Sequence, residues 1–304
     1  MPNIMDQLPF SSFPTSRIAC GDVTLSVRRA GTGAPLVLLH GYPETALAWA
    51  QVAPALAQHF DVIVPDLRGY GASDAPPDDA GHSAYSKRQM GRDIVALLDA
   101  LDLPRAHVLG HDRGARVAYR MALDHPDRVA RLGVIEIIPT GSYWARWTAE
   151  SALAAYHWTF LAQPSPLPER MIAADPQGYC DWTLASWTAD KDLGVFDDAA
   201  LAAYRAQMAE PARCAAMCAD YRAGAGIDRA LDDADIQAGR KIAAPMLFLH
   251  GNRGFPAKAG DPAAIWAELA EDITVATYDG GHFAMEEAPH EVISAALDFL
   301  ADRT

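Results

Sequence analysis

Fully apolar runs recur along the first half of the chain, separated by stretches whose apolar residues fall at helical spacing. Pro35-Leu36-Val37-Leu38-Leu39 and Val62-Ile63-Val64-Pro65 lack any polar residue, the pattern of strands buried on both faces of a parallel sheet. Val23–Ala30 alternates as a strand with one wetter face does. Residues 47–56 and 85–101 read as intervening helices, so the rhythm predicts a doubly wound, mostly parallel α/β sheet with its working loops beyond the strand C-termini. A further run, Val108-Leu109-Gly110, passes directly into a helical pattern at Val117, Ala118, Met121 and Ala122. Residues 132–139 read as another apolar strand, interrupted by Glu136. From 140 to 228 the strand pattern disappears and Trp, Tyr and Ala recur at helical spacing. The strand pattern resumes at Pro245-Met246-Leu247-Phe248-Leu249-His250 and at Ile273–Tyr278, and a helix is expected from about 286 to 300. The organisation read from this is a sheet core over 1–139 and 229–304, with a helical cap inserted over 140–228.

Composition changes this picture little. The 304 residues are half apolar and about a fifth charged, ordinary for a soluble globular protein. A formal charge of -14 argues against nucleic acid or an anionic membrane surface as partner, while leaving a small anion open because a cavity is governed by its local charges. Residues 1–13 lack the basic start and apolar core of a signal peptide, and no run has the length of a membrane span, so a cytoplasmic location is the default expectation. Cys20, Cys180, Cys214 and Cys218 show neither disulfide nor zinc spacing and are expected as buried thiols.

The candidate chemistry gathers at the strand ends. In Gly110-His111-Asp112-Arg113-Gly114 the glycines permit a sharp strand-to-helix turn that leaves the central side chain exposed above the sheet. Asp112 could merely cap the helix. In this turn it can also attack carbon, forming an ester that water must then cleave. His282, in Asp279-Gly280-Gly281-His282-Phe283 beyond the last strand, stands where a base for that water is wanted. Glu136 is the expected acid partner of His282, with Asp261 its rival. Arg113 and Arg116, one and four positions after Asp112, share one side of the first helical turn. Two cations there oppose the helix dipole, so a planar pair clamping a substrate carboxylate is the favoured reading over salt bridges to acidic neighbours. The backbone N–H of Tyr42, in His40-Gly41-Tyr42-Pro43, together with that of Arg113 can form an oxyanion hole. His40 reads as a structural hydrogen-bonder. In the cap, Tyr156-His157-Trp158 and Asp220-Tyr221-Arg222 offer imidazole, indole and phenol donors. Trp144, Trp147, Trp182 and Trp187 read mostly as packing, with Trp187 also placed to line a pocket.

Taken together, these segments, with Tyr156-His157-Trp158-Thr159-Phe160-Leu161-Ala162-Gln163-Pro164 and Asp220-Tyr221-Arg222-Ala223-Gly224, resemble the fluoroacetate (haloacetate) dehalogenases of the α/β-hydrolase fold over nearly the whole chain. The elbow alone is also similar to haloalkane dehalogenases and epoxide hydrolases. The resemblance implies Asp112 as nucleophile, Glu136 and His282 as the acid and base, and Arg113 and Arg116 as the carboxylate clamp. It implies His157, Trp158 and Tyr221 as a halide cradle, a haloacid substrate with a halide ion as product, a homodimer, and no metal or organic cofactor. The family usually carries Asp at the position of Glu136 and often Phe at that of Tyr42. Two competing expectations are an epoxide hydrolase, which would use two cap tyrosines, and a non-catalytic receptor for a small acid.

Overall fold

The computed structural model of the chain describes residues 9–301, so residues 1–8 of the stretch read for a leader lie outside the described residues. Its sheet contains β1 (Thr15–Cys20), β2 (Val23–Ala30), β3 (Ala34–Leu39), β4 (Phe60–Pro65), β5 (Ala106–His111), β6 (Val129–Ile135), β7 (Met246–Gly251) and β8 (Ile273–Tyr278). Their spatial order is β1-β2-β4-β3-β5-β6-β7-β8. β1 and β2 pair antiparallel, as do β2 and β4; from β4 to β8 every pairing is parallel. This is the α/β-hydrolase architecture, and it puts the ends of β3, β5, β6, β7 and β8 at one edge of the sheet.

The apolar runs are explained by burial on both faces. Along β3, Val37 and Leu39 enter one hydrophobic core while Leu36 and Leu38 enter the other, the two-residue alternation of a pleated strand. One face is covered by Lys87–Ala100 and Asp112–Asp124, the other by residues including those of Ala53–Leu56 and Pro289–Leu300. Between β6 and β7 the described chain forms helices and no strand, from Thr140–Ala145 to Ile227–Gln237. The core containing Val37 and Leu39 runs on into Trp158, Leu184, Tyr204 and Tyr221 of these helices, so apolar packing seats them over the strand ends.

The structure departs from the sequence reading in three places. β1 was not foreseen, because its burial alternates weakly and most of it is exposed. The helix expected over 47–56 is a 3-10 turn, Ala46–Trp49, followed by the short helix Ala53–Leu56, with Pro54 near its start where a missing N–H costs nothing. The strand expected over 132–139 ends at Ile135, and Glu136 turns the chain away with a φ of 61°. All four cysteines are buried and unpaired. No described helix is long and apolar enough to cross a membrane.

Candidate active site

The turn from β5 into Asp112–Asp124 is tight because glycines flank it. A Cβ at Gly114 would collide with the Leu39 and His40 carbonyl oxygens, and one at Gly110 with the backbone of Gly114 and Ala115. Asp112 itself has a φ of 45°, a left-handed conformation that costs an L-residue free energy and is held only by the surrounding packing. Its Oδ1 accepts the Tyr42 N–H at 3.0 Å. Tyr42 sits in the turn after β3, where the Gly41 N–H donates to Glu44 Oε2 at 2.8 Å, and His40, whose Nε2 accepts the Leu67 N–H at 3.0 Å, ties the end of β3 to the loop after β4.

His282 lies beyond β8, its N–H donating to the Trp187 carbonyl at 3.0 Å. Its Nε2 is 3.7 Å from Asp112 Oδ2 and its Nδ1 is 3.5 Å from Glu136 Oε2. Acid, imidazole and carboxylate therefore lie in register, with both separations longer than a hydrogen bond. Glu136 is fixed by the backbone N–H groups of Gly251 and Phe255. Its rival Asp261 instead caps Pro262–Trp266, accepting the Ala264 N–H at 3.1 Å, which leaves Glu136 as the acid beside His282.

Burial pushes the Asp112 carboxyl up, but the charges of His282, His111, Arg113 and Arg116 outweigh it and hold the group below the usual carboxylate range. The N-terminal end of its own helix works in the same direction. Among these neighbours His111 was not anticipated. Its Nδ1 pairs with Glu44 Oε2 at 2.9 Å and its Nε2 donates to the His282 carbonyl at 2.7 Å. Burial pulls its imidazole down, but the Glu44 carboxylate raises it to about 9. A folded-state value above that of a free imidazole means the folded protein holds this proton more tightly. The stabilisation is thus complete below about pH 6.5 and lost as pH rises through about 9. The melting temperature should fall across that window, and Glu44→Gln should flatten the fall; a variant with an unchanged slope would contradict the pairing.

A cavity of about 30 Å³ is lined by Asp112, Arg116, Glu136, His157, Trp158, Trp187 and His282, together with Tyr143 and Phe255. Of the predicted residues, the structure brings these seven to one space; Arg113, Tyr42 and Tyr221 do not line it, although the Tyr42 N–H reaches Asp112 and the Tyr221 ring packs against His157 and Trp158. Arg116 Nη1 donates to the Ile138 carbonyl at 3.0 Å and to Thr140 Oγ1 at 2.9 Å, leaving its buried Nε unpaired. Its guanidinium lies 4.6 Å from the centre of the Trp158 ring. Arg113 corrects the expectation that both guanidiniums turn to the pocket. Its Nε and Nη2 donate to Asp220, which Lys87 and the Tyr70 hydroxyl also engage, so the salt-bridge alternative holds for that part of the side chain. Its Nη1 remains buried and unpaired among the described residues, and its planar group stacks 4.2 Å from the Tyr221 ring centre. Long-range pairing of this kind leaves no local trace in a sequence.

His157 is buried, with Nδ1 unpartnered, and burial holds its imidazole well below the usual value, so it is neutral and carries one ring N–H. Its ring meets Trp187 at 4.2 Å and Tyr221 at 5.5 Å between centroids. Tyr143 was not anticipated: its hydroxyl is buried without a partner and its ring lies 4.5 Å from Trp158. Trp182, read as packing, is instead 67% exposed. Among the described residues no group of His, Cys, Asp and Glu is arranged to hold a metal ion.

Residues 34–289 match the family model of the alpha/beta hydrolase fold. The chain belongs to the alpha/beta hydrolases. This hydrolase is 40% identical over 293 residues to fluoroacetate dehalogenase from Burkholderia sp, a likeness covering 96% of the chain and 95% of the relative. It is 33% identical over 275 residues to soluble epoxide hydrolase from Corynebacterium sp. (strain C12), covering 90% and 92%. Among solved structures it is similar to a Nostoc sp PCC 7120 protein placed with the alpha/beta hydrolases, at a TM-score of 0.93, 42% identity, and coverage of 96% of this chain and 99% of that one.

Proposed function

We propose that this alpha/beta hydrolase cleaves the carbon–halogen bond of small 2-haloacids such as fluoroacetate and chloroacetate, releasing halide and a 2-hydroxy acid. The observation that carries the reading is a pair of buried, unpartnered guanidinium donors, Arg113 Nη1 and Arg116 Nε, on the helical turn that Asp112 opens. Such donors are costly to leave unmade, and a carboxylate is the ligand their planar geometry suits.

In this reading Arg116, which lines the cavity, holds the substrate carboxylate, with Arg113 Nη1, from a guanidinium over the same Trp158 ring, as the second donor, so that the α carbon faces Asp112, a gain in orientation. An Asp112 oxygen attacks that carbon, the carbon–halogen bond breaks with its electron pair leaving on the halide, and an aspartyl ester forms. His157, Trp158 and Tyr221 offer donors to the departing halide, which for fluoride is where most stabilisation is needed. Water then attacks the carbonyl carbon of the ester as His282, oriented by Glu136, takes its proton. The Tyr42 and Arg113 N–H groups hold the oxyanion; on collapse the bond from the carbonyl carbon to the substrate-derived oxygen breaks, His282 returns its proton to that oxygen, the 2-hydroxy acid leaves and the Asp112 carboxylate is restored. The helices over 140–228 act as the cap that closes the site.

Arg116→Leu should raise KM for chloroacetate at least about thirty-fold, because losing one partner of a buried charged pair costs upward of about 2 kcal/mol. Steady-state halide release checks it, and an unchanged KM would remove Arg116 from the clamp. A second reading, epoxide hydrolysis, is favoured by one observation: Tyr143 adds a second buried phenol to Tyr221 beside Asp112, and two phenols can protonate an epoxide oxygen. Halide release from chloroacetate with no diol from styrene oxide supports the first reading; diol formation without halide release supports the second.

A further inference from the structure

Outside the inner cavity lies a second space of about 250 Å³, and the two share Trp187, Phe255 and His282 as a common wall. A third space, of about 400 Å³, meets the inner cavity along Ile138, Tyr143, Phe255 and Ala259 and carries Glu150 beside Arg146 and Lys258; the 250 Å³ space is the one that reaches His282. Its rim carries Lys191, from the loop after Pro176–Trp187, and Arg253 and Lys258, from the segment after β7. The chain has 39 acidic against 25 basic residues, yet none of the residues lining this space is acidic. Such a local reversal of sign calls for a reason.

The three cations are only partly neutralised. Arg253 faces Asp190 at 3.3 Å and Asp279 at 3.4 Å, both mostly exposed. Lys191 Nζ donates to the Ser186 carbonyl at 2.8 Å, and the Lys258 ammonium has no ion-pair or hydrogen-bond partner among the described residues. Burial holds the Lys191 ammonium below its usual value, Lys258 and Arg253 push it further the same way, and Glu287 opposes them. The like charges are therefore close enough to repel one another, a cost that an anion between them would relieve.

We propose that Lys191, Arg253 and Lys258 form an anion-gathering vestibule that concentrates the carboxylate substrate at the mouth of the site. The rest of the protein is acidic and repels anions, but its field is screened beyond about 8 Å at physiological ionic strength. Inside a walled mouth the local cations decide the potential, and such focusing raises the local concentration of an oppositely charged ligand. The identity of the anion rests on the haloacid reading; the gathering of anions does not.

The test compares the wild type with the double variant Lys191→Gln/Lys258→Gln, two exposed positions outside the reacting groups. Trp182 and Trp187 line the same space, so quenching of tryptophan fluorescence by iodide reads the anion concentration there without any turnover. The iodide quenching slope should fall by about two-fold while quenching by neutral acrylamide stays unchanged. For chloroacetate, KM should rise by up to about ten-fold with kcat unchanged, and kcat/KM should lose much of its dependence on salt. Equal iodide slopes would overturn the vestibule whatever the substrate is. A lower iodide slope with an unchanged KM would overturn the passage of substrate through it, and absent halide release in the wild type would strike at the haloacid reading instead.

Discussion

Asp112→Ala is expected to abolish halide release from chloroacetate, by on the order of 10⁵-fold or more, the scale on which loss of a covalent nucleophile acts. The geometry allows no substitute. The neighbouring carboxylate, Glu136, is turned to the Gly251 and Phe255 N–H groups, and His282 can direct water but forms no stable ester. Binding should respond in the opposite sense. Asp112 is held ionised by the cations around it, so in the wild type it repels a carboxylate brought to Arg113 and Arg116. Removing it should leave chloroacetate affinity intact or improved, measurable by calorimetry. A variant that still turns over, or one that folds but loses affinity together with activity, would contradict the assignment.

The second large effect separates the two chemical steps. His282→Asn should leave the attack by Asp112 in place and block the cleavage of the ester, because the group 3.7 Å from Asp112 Oδ2 can no longer accept a proton from water. Turnover should fall by on the order of 10⁴-fold or more, as for loss of a general base that acts as one unit with its nucleophile. Incubation with chloroacetate should then add the mass of one carboxymethyl group to nearly every chain, located on the peptide containing Asp112. An inactive variant that stays unmodified would argue against a two-step path.

Much of the fold was legible because strands buried on both faces must be nearly continuous in apolar residues, as Leu36 to Leu39 are. Edge strand β1 was not, since a strand with one wet face and polar neighbours such as Thr15, Ser16 and Arg17 carries little periodic signal. The break at Glu136 was hidden for a related reason: an acid that ends a strand at a φ of 61° reads the same as one inside an apolar run. At the site, Asp112 and His282 were legible from position relative to strands and glycines, which is local information. The partners that tune them were not. Asp220 meets Arg113 across 107 residues and Glu44 meets His111 across 67, and nothing in either segment points to the other. Tyr143, one aromatic among many in a helical stretch, became distinct only when its hydroxyl was found buried beside Trp158 without a partner.

The central claim, that Asp112 displaces the halogen itself, is tested most directly by one turnover of excess enzyme on chloroacetate in ¹⁸O-labelled water. In the predicted path the glycolate formed keeps an unlabelled oxygen from Asp112, and the label appears in the Asp112 carboxylate. Label found directly in glycolate, with none on Asp112, or no glycolate at all, would contradict the account.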